Sequence, residues 1–313
     1  MYQIFKYLKE FIKEDFNLKI YMSTLILTGV LIYFNFKFDF EDSYIDAFYG
    51  KPIRMFFFFL IEGIPYYITL FLIYIFGNNK QAFSNKKFWL ISILGFMVLA
   101  INRGFYWQDN VAKWVSNPYT LKFTQRVFSN LKSIITVILP FSIIYRYLLK
   151  KDLTHFYGIR KKNVHLKPYL TMILVMIPIL YLASLQPDFL KMYPRFKNSG
   201  ENYIIHHYKI NKNLIIAIYE VSYAFSFFIV ELIFRGFFIF ALVKYLGKSV
   251  VLPMAVSYCI LHFGKPLGEA ISSFFGGYIL GVIAYKTQNI YGGIMVHIAI
   301  ALLMELFAFI QLN

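Results

Sequence analysis

Long apolar stretches separated by short polar and basic segments organise this chain. Nine stretches approach the roughly 20 mostly apolar residues that a helix needs to cross a bilayer. They are residues 19–36, 54–76, 87–102, 133–149, 168–186, 213–243, 250–263, 270–285 and 291–311. The third, seventh and eighth are short, which predicts tilted, partial or buried helices. The pattern therefore predicts an all-α, polytopic transmembrane bundle of eight or nine spans. Ahead of the first span, Ile4, Phe5, Leu8, Phe11 and Ile12 fall on one side of a helix and lysines on the other. The segment is charged throughout and lacks a small-residue cleavage site, so it reads as an interfacial amphipathic helix and not as a signal peptide.

Composition agrees. Of 313 residues, 59% are hydrophobic and 15% charged, against roughly 25% charged in an average soluble domain; mean hydropathy is +0.57. A soluble enzyme and a disordered chain are both excluded. The net charge of +16 belongs in loops that face anionic lipid headgroups, which makes membrane lipids the expected partners and nucleic acid a poor one. The 36 Phe and 26 Tyr suit interfacial belts and helix packing. One cysteine, Cys259, allows neither an intrachain disulfide nor a thiolate zinc site.

Loop lysines and arginines predict a cytoplasmic N-terminus in the cell membrane, resting mainly on the basic block Arg146 to Lys167. That block is also the best internal boundary. It separates an N-terminal region of about four spans (1–165) from a C-terminal core (166–313) that holds most of the intramembrane ionisable groups. Residues 187–212 form a long polar loop expected to cover one end of the bundle.

A charged group in hydrocarbon costs at least ~2.5–3.5 kcal/mol and marks a candidate site. The core carries Glu220, Glu231, Arg235, His262 and His297 within spans, with Glu269 and Glu305 at the margins. Glu231 and Arg235 are four apart and can pair on one helix face. Glu231 and His262 are symmetric about the turn Lys244–Ser249, so an antiparallel hairpin places them at one depth, roughly 20 Å from the inner end. His297 falls at ~10–17 Å from that end. One carboxylate and two imidazoles can therefore meet inside the membrane. Such a set suits zinc with an open position for water; equally, the groups can hold and activate a water directly. Gly277 and Gly281 form a G-x-x-x-G that lets helices approach closely, and His297 is expected to face the gap at Gly277.

The stretches Glu231-Leu-Ile-Phe-Arg235-Gly236, Tyr258-Cys-Ile-Leu-His262 and Gly292-Gly-Ile-Met-Val-His297 resemble the CPBP family of intramembrane proteases, which includes CAAX prenyl proteases and Abi (bacteriocin-immunity-like) proteins. The family motifs run E-E-x-x-x-R, F-x-x-x-H and H-x-x-x-N or D, in that order. The resemblance covers residues 214–311. It implies an intramembrane metalloendopeptidase cleaving a membrane-embedded or membrane-proximal peptide or membrane protein. Glu231, Arg235, His262 and His297 take the motif positions, with Glu231, His262 and His297 as ligands to zinc or to water. Tyr258 replaces the Phe of the second motif, a mild change, and two positions closer to the chemistry depart further. The first Glu of the pair is Val230, and the Asn or Asp of the third motif is Ala301. A rebuilt site then draws on Glu269, which follows the helix-breaking Phe263-Gly-Lys265-Pro-Leu-Gly stretch, with Glu305 as the second choice. The bland role for Glu269 is a favourable carboxylate at a helix N-terminus. The departures also suit a catalytically inactive scaffold of the same family, acting in immunity or regulation.

Overall fold

The computed structural model describes residues 2–77, 80–160 and 166–312. The basic stretch 161–165, part of the block used for orientation, lies outside the described residues. Amphipathic helix α1 (Tyr2–Asp15) precedes the spans. They are α2 (Leu18–Phe38), α3 (Ile53–Phe76), α4 (Lys86–Gly104), α6 (Leu121–Leu149), α7 (Leu166–Ala183), α8 (Lys212–Ala241), α10 (Leu267–Thr287) and α11 (Tyr291–Leu312). A short helix α5 (Trp107–Val115) joins α4 to α6, and α9 (Val251–Ile260) joins α8 to α10.

Among the described residues, eight helices are thus long and apolar enough to span. The seventh sequence stretch becomes α9, ten residues long and buried at every position. A helix wholly enclosed by other helices meets no lipid, which is why its apolar run is shorter than a bilayer. It packs against α3, α10 and the second half of α8.

Local rules place the helix starts. Asn17 begins α2, its Oδ1 accepting from the backbone N–H of Lys19 and Ile20 at 3.0 and 3.3 Å. Asn85 begins α4 in the same way, through Lys87 and Phe88. A side-chain oxygen there satisfies amides that the first turn leaves without partners. The Asn17 amide also donates to Phe76 O at 3.0 Å, tying the start of α2 to the end of α3. At the same end, Asp152 accepts from Lys87 and Lys244, both at 2.7 Å. The Lys244 and Lys87 hydrogen bonds hold the Asp152 carboxyl below its usual value.

Helix α1 behaves as its periodicity predicts on one flank. Ile4 and Phe11 are buried, and Phe11 meets Tyr278 and Tyr285 edge-on, with centroids 6.0 and 5.6 Å apart. Phe5 and Ile12 instead point away from the protein, as suits a helix lying in the membrane interface. One buried core cluster runs from Phe11 through α3, α4 and α6 to Ile290, so it draws residues from both sides of position 165. Large apolar side chains on α2, α3 and α7, such as Ile26, Phe71 and Leu174, are exposed. They form a surface fitted to lipid and not to water.

Residues 187–208 cover one end of the bundle. Phe196 packs against Tyr219 and Phe309. The Glu305 carboxylate accepts the backbone N–H groups of Arg195 and Phe196 at 2.7 and 3.2 Å. Glu305 therefore holds this loop and makes no hydrogen bond to the Glu231 group.

Candidate functional site

Glu231 ends the α-helical part of α8, and residues Leu232–Ala241 continue with the wider i→i+5 hydrogen bonding of a π-helix. Such segments are rare and are found at functional sites. This one is held by the loop between α6 and α7. Tyr157 and Gly158 adopt left-handed backbone conformations, with φ of +46° and +76°. A Cβ at Gly236 would stand 3.1 Å from both Cβ and the carbonyl oxygen of Tyr157. Glycine at 236 is what allows the loop to lie against the widened turn.

Inside the bundle, Glu231 and Arg235 are both fully buried. Glu231 Oε1 accepts from Arg235 Nη1 at 2.9 Å and from His297 Nδ1 at 3.1 Å. With Nδ1–H committed to the carboxylate, His297 Nε2 is the acceptor for the Tyr258 hydroxyl, 3.3 Å away. The Tyr258 ring also lies 4.1 Å from the Arg235 guanidinium carbon, a cation–π contact that is strongest when desolvated. The result is a closed quartet of Glu231, Arg235, Tyr258 and His297. Its unfilled positions are Glu231 Oε2 and Arg235 Nε and Nη2, buried atoms without a hydrogen-bond partner among the described residues.

The structure thus brings Glu231, Arg235 and His297 together, as the spacing predicts. His262 stands one step away. It lies in the turn after α9, where its Nδ1–H donates to Tyr258 O at 2.9 Å and its ring sits 4.7 Å from that of Tyr258. Its Nε2 is thereby left as a lone-pair acceptor. Glu269 lies in the first turn of α10, pairs with Lys265 at 2.5 Å and accepts from the Tyr193 hydroxyl at 2.9 Å. It is within electrostatic reach of His262, and Tyr193 ties it to the covering loop. Glu220 is three turns from Glu231 along α8, and its carboxylate oxygens are buried without a partner among the described residues.

Two residues at the site escape sequence reasoning, Tyr258 of the quartet and Gly293 beside it. Tyr258 reads there only as a mild replacement of Phe, yet its hydroxyl is what reaches His297. Its ring also fills the gap expected to face His297, since a Cβ at Gly277 would lie 2.7 Å from Tyr258 Cδ1. The glycine that opens onto the acid is instead Gly293, where a Cβ would collide with Glu231 Oε2. Gly293→Ala is accordingly expected to lower stability by ~1–3 kcal/mol, as overpacking does. Gly276, where a Cβ meets nothing within 4 Å, sets the contrast: Gly276→Ala should gain up to ~1 kcal/mol from helix propensity. Thermal unfolding of both variants in detergent checks the pair. Equal stability would mean that nothing presses on the carboxylate.

The departures from the motif are filled by packing. Val230 lies against the main core and Ala301 within an apolar cluster with Tyr219 and Tyr223. The donor set also bears on a metal. Among the described residues no group of three or more His, Cys, Asp or Glu side chains stands together as a ligand set. Both nitrogens of His297 are engaged, and a guanidinium already occupies the charge-neutralising position on Glu231. In this arrangement the residues do not fit a metal centre.

No curated protein and no solved structure matches this chain. A family model does: residues 212–303 match the Type II CAAX prenyl endopeptidase Rce1-like family. The match runs from the start of α8 into α11 and includes every member of the quartet together with His262. Over this segment, less than a third of the chain, the protein is similar to the CPBP/CAAX prenyl proteases.

Proposed function

We propose that this protein is an intramembrane endopeptidase that cleaves membrane-embedded or membrane-proximal peptides, with Glu231 activating the attacking water. The observation that supports this reading most directly is the free Oε2 of Glu231. It is a buried carboxylate oxygen with no partner among the described residues, on a group whose other oxygen is held by two donors. Such a carboxylate is oriented by one oxygen and available through the other. In the proposed step, the water oxygen forms a bond to the peptide carbonyl carbon while its proton passes to Glu231 Oε2. The unpartnered N–H groups of Arg235 are donors for the negative charge that develops on the carbonyl oxygen, an interaction of greatest value in a dry site. Collapse breaks the C–N bond, and the Glu231 proton leaves on the departing amine. His297 and Tyr258 orient the carboxylate and do not exchange protons with substrate.

The protein sits in the cell membrane with its N-terminus cytoplasmic, on the strength of the loop lysines and arginines. Val230 and Ala301, filled by apolar packing, favour the second reading, an inactive scaffold in immunity or regulation.

The test is purified protein reconstituted in liposomes with model transmembrane peptides, new termini being read by mass spectrometry, with and without a zinc chelator. New termini that form in both conditions are expected. Loss on chelation with restoration by zinc would replace direct water activation with the zinc reading, in which Glu231, His262 and His297 are ligands. No cleavage by folded protein would leave the scaffold.

A further inference from the structure

A second cluster of buried charges lies outside the matched segment, near the end of α4 remote from Asp152. Arg103 Nη1 donates to Glu62 Oε1 at 2.6 Å, and Nη2 donates to Glu41. Glu62 is fully buried within α3, and Glu41 is buried in the loop after α2. The guanidinium carbon also lies 4.2 Å from the Phe58 ring centroid. Charges at this depth are costly enough to require a purpose, and the quartet does not use them.

Contacts lead from this cluster to the turn that carries His262. The Asn35 side chain accepts from Glu41 N and donates to Phe263 O, both at 3.1 Å. A Cβ at Gly264 would stand 3.0 Å from Asp42 Oδ1 and 3.3 Å from Glu41 Oε1. On α9, Ser257 Oγ donates to the main-chain oxygen of Glu62 at 3.1 Å. Residues on both sides of His262 are therefore fastened to α2, α3 and the intervening loop.

We infer that Arg103, with Glu41, Glu62 and Asn35, positions the His262 turn, which packs against Tyr258 of the quartet, so that the first spans of the chain support the site from behind. The physical basis is the short, non-helical path from Ile260 to Pro266. Its own hydrogen bonds, such as His262 N to Cys259 O and Phe263 N to Ile260 O, both at 3.0 Å, are local turn contacts and do not reach the Phe263 carbonyl. Its free carbonyl at Phe263 needs a donor, because an unpaired buried carbonyl is expensive, and Asn35 supplies that donor. Arg103 in turn holds Glu41, whose amide orients Asn35. The catalytic meaning of the inference rests on the proposed proteolysis; the positioning itself does not.

Two readouts independent of cleavage test it. Cys259, the sole cysteine of the chain, is fully buried, and its Sγ donates to Ala270 O across the turn at 3.2 Å. Its modification by N-ethylmaleimide reports opening of the turn. Selective 15N labelling of histidine, with His262→Gln to assign the signal, reports the Nδ1–H bond to Tyr258 O. Asn35→Ala and Arg103→Gln are expected to speed Cys259 modification by roughly tenfold or more, as a loosened local unit does, and to shift the His262 signal. Asp152→Asn, which breaks ion pairs at the opposite end, should change neither. If Arg103→Gln does not fold, Asn35→Ala and Gly264→Ala carry the test. Folded variants with the wild-type His262 spectrum overturn the inference, even where Cys259 reacts faster, because that pattern is general loosening. Should cleavage never be observed, both readouts still decide the positioning.

Discussion

Glu231→Gln abolishes most peptide cleavage by the protein that stays folded, although it leaves the buried Arg235 charge uncompensated and lowers stability as well. Removing a general base costs ~10²–10⁴ in rate, and Glu231 is the acid of the family motif segment that has an unpartnered oxygen beside two orienting donors. Glutamine keeps the shape and one acceptor for Arg235 and His297 but cannot take a proton from water. The loss should therefore fall on kcat, with little change in KM. Glu231→Asp withdraws the carboxylate by one methylene and should lose the contact to His297. Cleavage rates in liposomes, with wild-type and variant protein matched for folded fraction, check this. A Glu231→Gln protein that cleaves at the wild-type rate would move the base elsewhere, with Glu269 next to be examined. Intermediate loss with a raised KM would mark Glu231 as a binding group.

Arg235→Met destabilises by ~3–5 kcal/mol, and adding Glu231→Gln restores most of that loss. Both partners are fully buried, with 0% side-chain exposure on each side. Breaking a buried pair by removing one member leaves an uncompensated charge, whereas replacing both with neutral groups of similar volume is often neutral or stabilising. The coupling should therefore be large and opposite in sign to simple additivity, in the 0.5–3 kcal/mol range or above it. Methionine fills much of the arginine stem and keeps contact with the Tyr258 ring, so the experiment isolates the charge. Thermal unfolding of wild type, both single variants and the double variant in one detergent gives the cycle. Additive losses would show that Glu231 and Arg235 do not share their burial, and the site would then lack its internal counter-charge. Stability restored without cleavage would show that the pair is retained for chemistry and not for folding.

These two experiments separate the proposed enzyme from the inactive scaffold. A scaffold gains nothing from ions that neutral residues replace without loss of stability. Val230 and Ala301 leave that question to experiment, since each is accommodated by packing and neither disturbs the quartet.

The helical bundle was legible in the chain itself. Stretches near 20 apolar residues become helices within a few residues of the expected limits, because backbone groups in hydrocarbon must be satisfied within the segment; the exception is 133–149, whose helix begins twelve residues earlier, at Leu121. The Glu231–Arg235 pair was legible too: a four-residue spacing brings two side chains to one face of any helix. Rise per residue matched Glu231 in depth with His262 and put His297 somewhat nearer the inner end; in the structure it is His297 that reaches Glu231. The sequence pattern also indicated that 250–263 was too short for an ordinary span, and the structure shows why, with α9 enclosed on every side.

What tertiary structure decided is the azimuth of each helix and the path of each turn. Rise along an axis follows from counting residues, but rotation about it does not, and the π-helical continuation after Glu231 changes the phase further. So the chain alone could not tell whether Gly277 or Gly293 faces the acid, or whether His262 or Tyr258 completes the contact with His297. Nor could it reveal that Asn35, Glu41, Glu62 and Arg103, spread over three separate segments, converge beneath one turn. Contacts between distant segments depend on the packing of every intervening helix, and only the folded bundle fixes that.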